Sequence, residues 1–275
     1  DVISGAEARE GISLGGQVEA GSTVMVDFNG TVMAAVVNAS GIWSLNIAAS
    51  DILGGTYDAA ITVMATDSVG NTDTISDVLR IDTEAPEGPV IASYTRAGDG
   101  IRGISTELSD GDLTVSQVNA DGSIDDVQAA QFDIEVIGET NLQFASNVPD
   151  GSHLIVNSTD AAGNASGTYV VLDDENANTS VDLSNPALGD YQISSVELQF
   201  AEEGNLTITE AQLLALSDDT NTLTIHGGKD DTVNMAGATR TGSVTVGDDI
   251  YHVYALGTEG TVILDDEIGV NTAIG

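Results

Sequence analysis

The sequence predicts an all-β chain: tandem β-sandwich domains followed by a third β-rich domain with one short helix. Three observations predict it. Apolar and β-branched residues recur with a period near two in runs such as Thr23-Val24-Met25-Val26-Asp27-Phe28 and Ala60-Ile61-Thr62-Val63-Met64-Ala65-Thr66, as half-buried strands require. The runs are cut at sandwich-like spacing by Gly30, Gly41, Gly54-Gly55 and Gly70-Asn71. The composition agrees: 31 Gly but 4 Pro, 4% aromatic residues, and 29 Asp among 44 acids, which suits many short strands joined by tight polar turns.

An internal repeat divides the chain. Thr66-Asp67-Ser68-Val69-Gly70-Asn71 returns as Thr159-Asp160-Ala161-Ala162-Gly163-Asn164, 93 residues on (160 − 67), a period that fits a whole sandwich rather than a solenoid turn. Each copy lies between two strands, and each second strand ends in Asp, at Asp82 and at Asp173-Asp174. Domains are therefore expected at 1–82, 83–175 and 176–275. The first linker, Asp82-Thr83-Glu84-Ala85-Pro86-Glu87-Gly88-Pro89, is stiffened by its two prolines. The second junction has no proline before Pro186. In the third segment, Thr209-Glu210-Ala211-Gln212 opens a helical run to Leu216 as a capping box. Strands are expected at Thr222 to His226, Ser243 to Val246, Tyr251 to Ala255 and Thr261 to Leu264.

Charge removes several functions. With 6 Lys plus Arg against 44 Asp plus Glu, the net charge is −38. Nucleic acid is excluded as a partner, because phosphate contacts need basic residues. An anionic membrane surface is disfavoured in the same way. No apolar run approaches the ~20 residues of a membrane-spanning helix, so no membrane insertion is expected. The absence of Cys removes disulfides, thiolate metal sites and cysteine nucleophiles. At 41% hydrophobic residues the chain is too apolar for wholesale disorder.

Gly41-Ile42-Trp43-Ser44-Leu45, Gly55-Thr56-Tyr57, Ala65 to Asn71 and Asp82-Thr83-Glu84-Ala85-Pro86 resemble the bacterial Ig-like repeats of giant surface adhesins exported by type I secretion, the RTX or BapA-like adhesins. Glu7-Ala8 and Gly16 to Gly21 fit the opening strands of the same module. The second domain matches through Asp150-Gly151-Ser152-His153 and Thr159 to Asn164, without the Gly-x-Trp strand. The last segment resembles a domain near the C-terminal end of such adhesins through its stretches Leu206 to Gly228 and Asp230 to Gly237. The resemblance implies tandem Ig-like sandwiches, a bacterial cell-surface location, neighbouring domains of the same adhesin as partners, and contact with a host, cell or abiotic surface.

Calcium is the chemistry best suited to these residues, since Ca²⁺ takes 6–8 oxygen ligands in flexible geometry. The turn Asp-x-x-Gly-Asn offers a carboxylate, an amide oxygen and carbonyls, and a linker Asp reaching the same end of the sandwich would add a second carboxylate. The resemblance implies interdomain calcium there, matching Asp67, Asn71 and Asp82 in the first set and Asp160, Asn164 and Asp173 in the second. The alternative is a good turn beside a solvated Asp. Asp99, Asp110 and Asp112, in a Gly-rich stretch of the second domain, are secondary candidates. The doublets Asp125-Asp126, Asp218-Asp219, Asp248-Asp249 and Asp265-Asp266 chelate only if they lie in loops, because adjacent strand residues face opposite ways. Gly227-Gly228-Lys229-Asp230-Asp231-Thr232-Val233 is similar to the calcium nonapeptide of β-rolls, but it lacks the third Gly and occurs once. It is read as a hairpin.

No catalytic signature stands out. His153, His226 and His252 are isolated in sequence, without a His-Glu-x-x-His pair or a Gly-x-Ser-x-Gly elbow, and a structural role is expected for His153 and a core position for Trp43. The expectation is thus a non-enzymatic, calcium-rigidified extender module of an extracellular adhesin serving cell adhesion or biofilm formation. A sugar- or peptide-binding region, centred on the polar stretch 96–126, and an accessory region of a secreted enzyme are the alternatives.

Overall fold

The computed structural model describes residues 2–109, 111–172, 178–217, 220–247 and 249–273. It is all-β, built from two-sheet layers with few short helices. The chain forms two compact units, residues 1–85 with 161–164, and residues 86–160 with 165–275.

The first unit contains β1 (Val2–Ile3), α1 (Gly5–Glu10), β2 (Ile12–Gln17), β3 (Thr23–Phe28), β4 (Thr31–Ala34), β5 (Val36–Val37), β6 (Ile42–Ile47), β7 (Thr56–Thr66) and β8 (Thr72–Asp82). A five-stranded sheet, β1-β8-β7-β3-β4, faces a three-stranded one, β2-β6-β5. The alternation in β3 places Val24, Val26 and Phe28 in the core with Trp43, Ile47, Ala59, Ile61 and Ile81, so the single Trp is a core residue. The stretch at Glu7-Ala8 is helical rather than an opening strand. Ser4 caps α1, its hydroxyl accepting from the Glu7 N–H while the Glu7 carboxylate accepts from the Ser4 N–H, and Gly11 ends the helix at φ 85°. That capping box outweighs the strand expectation.

The second unit begins with β9 (Ile91–Ala97), β10 (Gly100–Glu107), β11 (Asp112–Val118), β12 (Ile124–Val127), β13 (Ala129–Ile134), β14 (Glu139–Pro149), β15 (Ser152–Thr159) and β16 (Ala165–Leu172). It continues through β17 (Thr179–Val181), β18 (Ile193–Glu197), β19 (Gly204–Thr207), α2 (Glu210–Leu216), β20 (Thr222–His226), β21 (Thr232–Asn234), β22 (Thr239–Val246), β23 (Asp249–Leu256), β24 (Gly260–Asp265) and β25 (Gly269–Asn271). The sheet β13-β14-β10-β9 covers one face of a nine-stranded sheet, β12-β11-β15-β16-β18-β20-β24-β23-β22.

That long sheet corrects the expected division near residue 175. Val170 and Leu172 of β16 enter the sandwich core with Ile104, Leu142 and Phe144. Tyr169 and Val171 enter a second core with Leu198, Leu206, Leu223 and Leu264. A strand buried on both faces belongs to both layers, so no boundary between compact units falls there.

The last part of the chain is a parallel stack. Strand β16 pairs in parallel with β18, β18 with β20, and β20 with β24. A second sheet, β17-β19-β21-β25, is parallel throughout. Four successive strand pairs therefore stack as turns, with α2 inserted after β19 and the β22–β23 hairpin after β21. The hairpin expected at Gly227 to Val233 is corrected: β20 and β21 lie in different sheets, and the segment is a corner between them. Only the stacking of neighbouring turns satisfies the ladders of such short parallel strands. Helix α2 carries the capping box expected for it, with Thr209 and Gln212 exchanging bonds. No helix among the described residues is long and apolar enough to cross a membrane.

Candidate metal centre

Strands β7 and β8 pair over their whole length, from Thr56 opposite Asp82 to Thr66 opposite Thr72. Asp67 and Asn71 form the turn at one end of this hairpin, and Asp82 stands at the other. Over 11 residues at ~3.3 Å each, the separation is roughly 33 Å. The expected grouping of Asp67, Asn71 and Asp82 is thereby corrected. The Asp67 carboxylate closes its own turn, Oδ1 accepting from the N–H groups of Val69 (2.9 Å) and Asn71 (2.8 Å) and Oδ2 from the Asn71 amide (2.6 Å). Those bonds, led by the Asn71 side chain, hold it below the usual carboxylate range.

Asp160 and Asn164 bracket the turn between β15 and β16, where Thr159 pairs with Ala165. Leu172 pairs with Ser152 at the far end. Asp173 lies outside the described residues, as does Asp110. Asp112 opens β11 opposite Thr159, the residue before Asp160. Asp99 sits in the β9–β10 turn, at the opposite end of β10 from Glu107. Asp125 and Asp126 are strand residues of β12, with Asp125 accepting from the Asn119 amide at 2.7 Å.

Asp82 has different neighbours from those expected. The Thr56 hydroxyl lies 2.8 Å from Asp82 Oδ1 and 2.9 Å from Glu84 Oε2. One hydroxyl proton serves one acceptor at a time, so two carboxylates converge on a single donor. The backbone beneath them is pinned. Asn164, buried at 5% exposure, donates its amide to the carbonyls of Asp82 (2.9 Å) and Glu84 (3.2 Å) and accepts from the Gly5 N–H at 2.7 Å. Between the two acids, Thr83 Oγ1 accepts from the Gly55 N–H at 2.8 Å. Asp82, Glu84 and Thr56 are hard oxygen donors of the kind calcium takes. Among the described residues no three His, Asp or Glu side chains are grouped to hold a metal ion, so backbone oxygens or water would have to complete the shell.

Buried acids also mark the corners of the parallel stack. Glu197, at 2% exposure, accepts from the Gln199 N–H, and burial, reinforced by the charges of Asp231 and Asp265, pushes its pKa up to about 7. Asp231, 1% exposed, accepts from the N–H groups of Gly204 and Gly228 at 2.7 Å each. Burial lifts it to about 6 against those bonds. Asp231 therefore ties two successive corners together. His153 and His226 each hydrogen-bond a tyrosine through Nδ1, Tyr169 at 2.7 Å and Tyr251 at 2.6 Å.

No family model matches the chain, and no curated protein matches it. Among solved structures it is similar to part of a 1.5-MDa bacterial ice-binding adhesin studied for retention on the host cell surface, at 23% identity and TM-score 0.38, over 62% of this chain and 58% of that one. It is also similar to a Ca²⁺-stabilized adhesin that helps an Antarctic bacterium reach out and bind ice, at 20% identity and TM-score 0.40, over 97% and 63%. A tetra-tandem repeat from the extending region of a large adhesion protein is similar at 18% identity and TM-score 0.25, over 67% and 51%. These neighbours are domains of large bacterial adhesins, and the chain spans 51% to 63% of their lengths.

Proposed function

We propose that this chain is an extracellular structural module, an extender segment of a large bacterial surface adhesin of the RTX or BapA-like kind, stiffened by calcium. In this reading it spaces a binding domain from the cell surface, with neighbouring domains of the same adhesin as its partners, and serves adhesion or biofilm formation. The observation that carries the calcium reading is the convergence of Asp82 and Glu84 on the one hydroxyl of Thr56, over a backbone fixed by Asn164. At ~4 Å two like charges in water repel by about 1 kcal/mol, and in a chain of net charge −38 no field of surplus cations offsets it. A divalent cation between the two carboxylates would turn that repulsion into cohesion. The module resemblance carried by Gly41 to Leu45, Ala65 to Asn71 and Asp82 to Pro86 supports the adhesin class.

Calcium titration by calorimetry of the full chain, beside a variant carrying Asp82→Asn and Glu84→Gln, tests this. Extracellular modules bind at about 10⁻⁴–10⁻³ M. The wild type is expected to bind in that range and the double variant to lose its tightest site. Equal binding by both proteins would remove Asp82 and Glu84 from the proposal, and no binding by either would remove calcium.

A further inference from the structure

In a chain with 44 acids and 6 Lys plus Arg, each cation has carboxylates to choose from. Arg80 pairs with Asp58 at 3.0 Å, Arg96 with Asp150 at 2.7 Å, and Lys229 with Glu267 at 2.9 Å. Arg102 has no carboxylate partner among the described residues. Its guanidinium is held by a neutral group instead: the Gln143 amide oxygen, in the orientation that satisfies both ends of that side chain, accepts from Arg102 Nε at 3.2 Å and Nη2 at 2.9 Å. The bond fixes the plane of the fork and leaves Nη1 and its positive charge for something else.

The backbone also places Arg102 unusually. Against β9, Ile101 lies opposite Arg96 and Gly103 opposite Thr95, so Arg102 is the extra residue of a bulge on that side. Against β14 the register also breaks there, from Val148 to Gln143, with the extra residues on β14. Bulges re-aim a side chain at the cost of ladder regularity. Arg102 lies on a groove of 430 Å³ on the outer face of the sheet, which Gly103 and Leu142 also line and whose other lining residues are Thr95, Phe132, Ile134, Asn141 and Gln143. Gly103 admits no side chain, since a Cβ there would stand 2.5 Å from the Leu142 carbonyl oxygen. Phe132, 53% exposed, lies opposite Asn141 in the ladder and forms one wall.

We propose that this groove binds a carboxylated sugar, with Arg102 taking the carboxylate, Phe132 packing against the apolar face of the pyranose ring, and Asn141 and Gln143 meeting its hydroxyls. The volume suits a small ligand, and an Arg fork favours a planar carboxylate. The floor belongs to β10 and β14, each paired on both sides. An added peptide strand therefore finds no unpaired backbone there, and recognition falls to side chains of the kinds a hydroxylated, charged ring engages. The inference is independent of the calcium reading and concerns a different face of a different unit.

Saturation-transfer NMR on the full chain, in excess chelator, tests it with D-glucuronate, D-galacturonate and N-acetylneuraminate, against D-glucose, D-galactose and a short acidic peptide. At least one carboxylated sugar is expected to bind with a Kd of about 1 mM, at least about ten-fold tighter than the neutral sugars, as one charged hydrogen bond implies. Arg102→Gln and Phe132→Ala should each weaken it by about the same factor while the circular dichroism stays that of the wild type. Absence of binding by all three acids, binding unchanged in both variants, or binding of the peptide in place of the sugars would each overturn the proposal.

Discussion

Replacing Glu197 by Gln should stabilise the second unit at pH 8 and much less, by under about 1 kcal/mol, at pH 5. The carboxyl is 2% exposed, and burial, together with the charges of Asp231 and Asp265, lifts its pKa from an ordinary 4.5 to about 7. Between those values the folded chain holds a proton that the unfolded chain has released. Stability is therefore full below about pH 4.5 and falls as pH rises toward 7. At roughly 1.36 kcal/mol for each pH unit, the loss at pH 8 is about 3 kcal/mol. Gln keeps the oxygen that accepts from the Gln199 N–H and carries no charge at any pH. For a unit of this size about 3 kcal/mol corresponds to roughly 6–12 °C in Tm. Thermal melts of wild type and variant at pH 5 and pH 8, in chelator, measure it. A variant that melts with the wild type at pH 8, or one that gains as much at pH 5, would refute the assignment of a buried, protonated Glu197.

Other outcomes follow from the same geometry. Asn164→Ala removes the bonds to Asp82, Glu84 and Gly5 and leaves the Gly5 N–H unpaired, so the first unit should lose about 1–3 kcal/mol in a urea melt. Tyr169→Phe deletes the hydroxyl at 2.7 Å from His153 Nδ1 while keeping the ring, and should cost about 1 kcal/mol, against about 3–5 for Tyr169→Ala by analogy with other buried aromatic residues. A double-mutant cycle with His153→Ala would separate the hydrogen bond from the edge-on ring contact.

Local signals in the sequence were reliable, and long-range ones were not. The period of two, the capping box at Thr209 and Gln212, and the strand from Thr222 to His226 all reflect interactions within a few residues, and the structure repeats them. The box at Ser4 and Glu7, S-x-x-E where the other is T-x-x-Q, opens a helix of only six residues, without an apolar run to announce it. The near-continuous apolar stretches Leu154-Ile155-Val156 and Tyr169-Val170-Val171-Leu172 carried the sign of strands buried on both faces, and so the sign that the sheet continues past residue 175. The parallel stack was hidden because partners such as Tyr169 and Val196 are separated by a whole turn of chain. The misplacement of Asp82 could have been found by counting, since an 11-residue strand carries the chain away from the turn that starts it. Its actual neighbour Asn164, 82 residues distant, could not have been found that way.

Small-angle scattering of the full chain with and without millimolar calcium, on the wild type and on the double variant Asp82→Asn with Glu84→Gln, tests the central claim most directly. A calcium-stiffened extender predicts that the spread of maximum dimension narrows when calcium is added to the wild type and stays broad in the variant. Equal spread in both proteins with and without calcium would contradict it, leaving the prolines at 86 and 89 to set the stiffness and giving the metal no mechanical role.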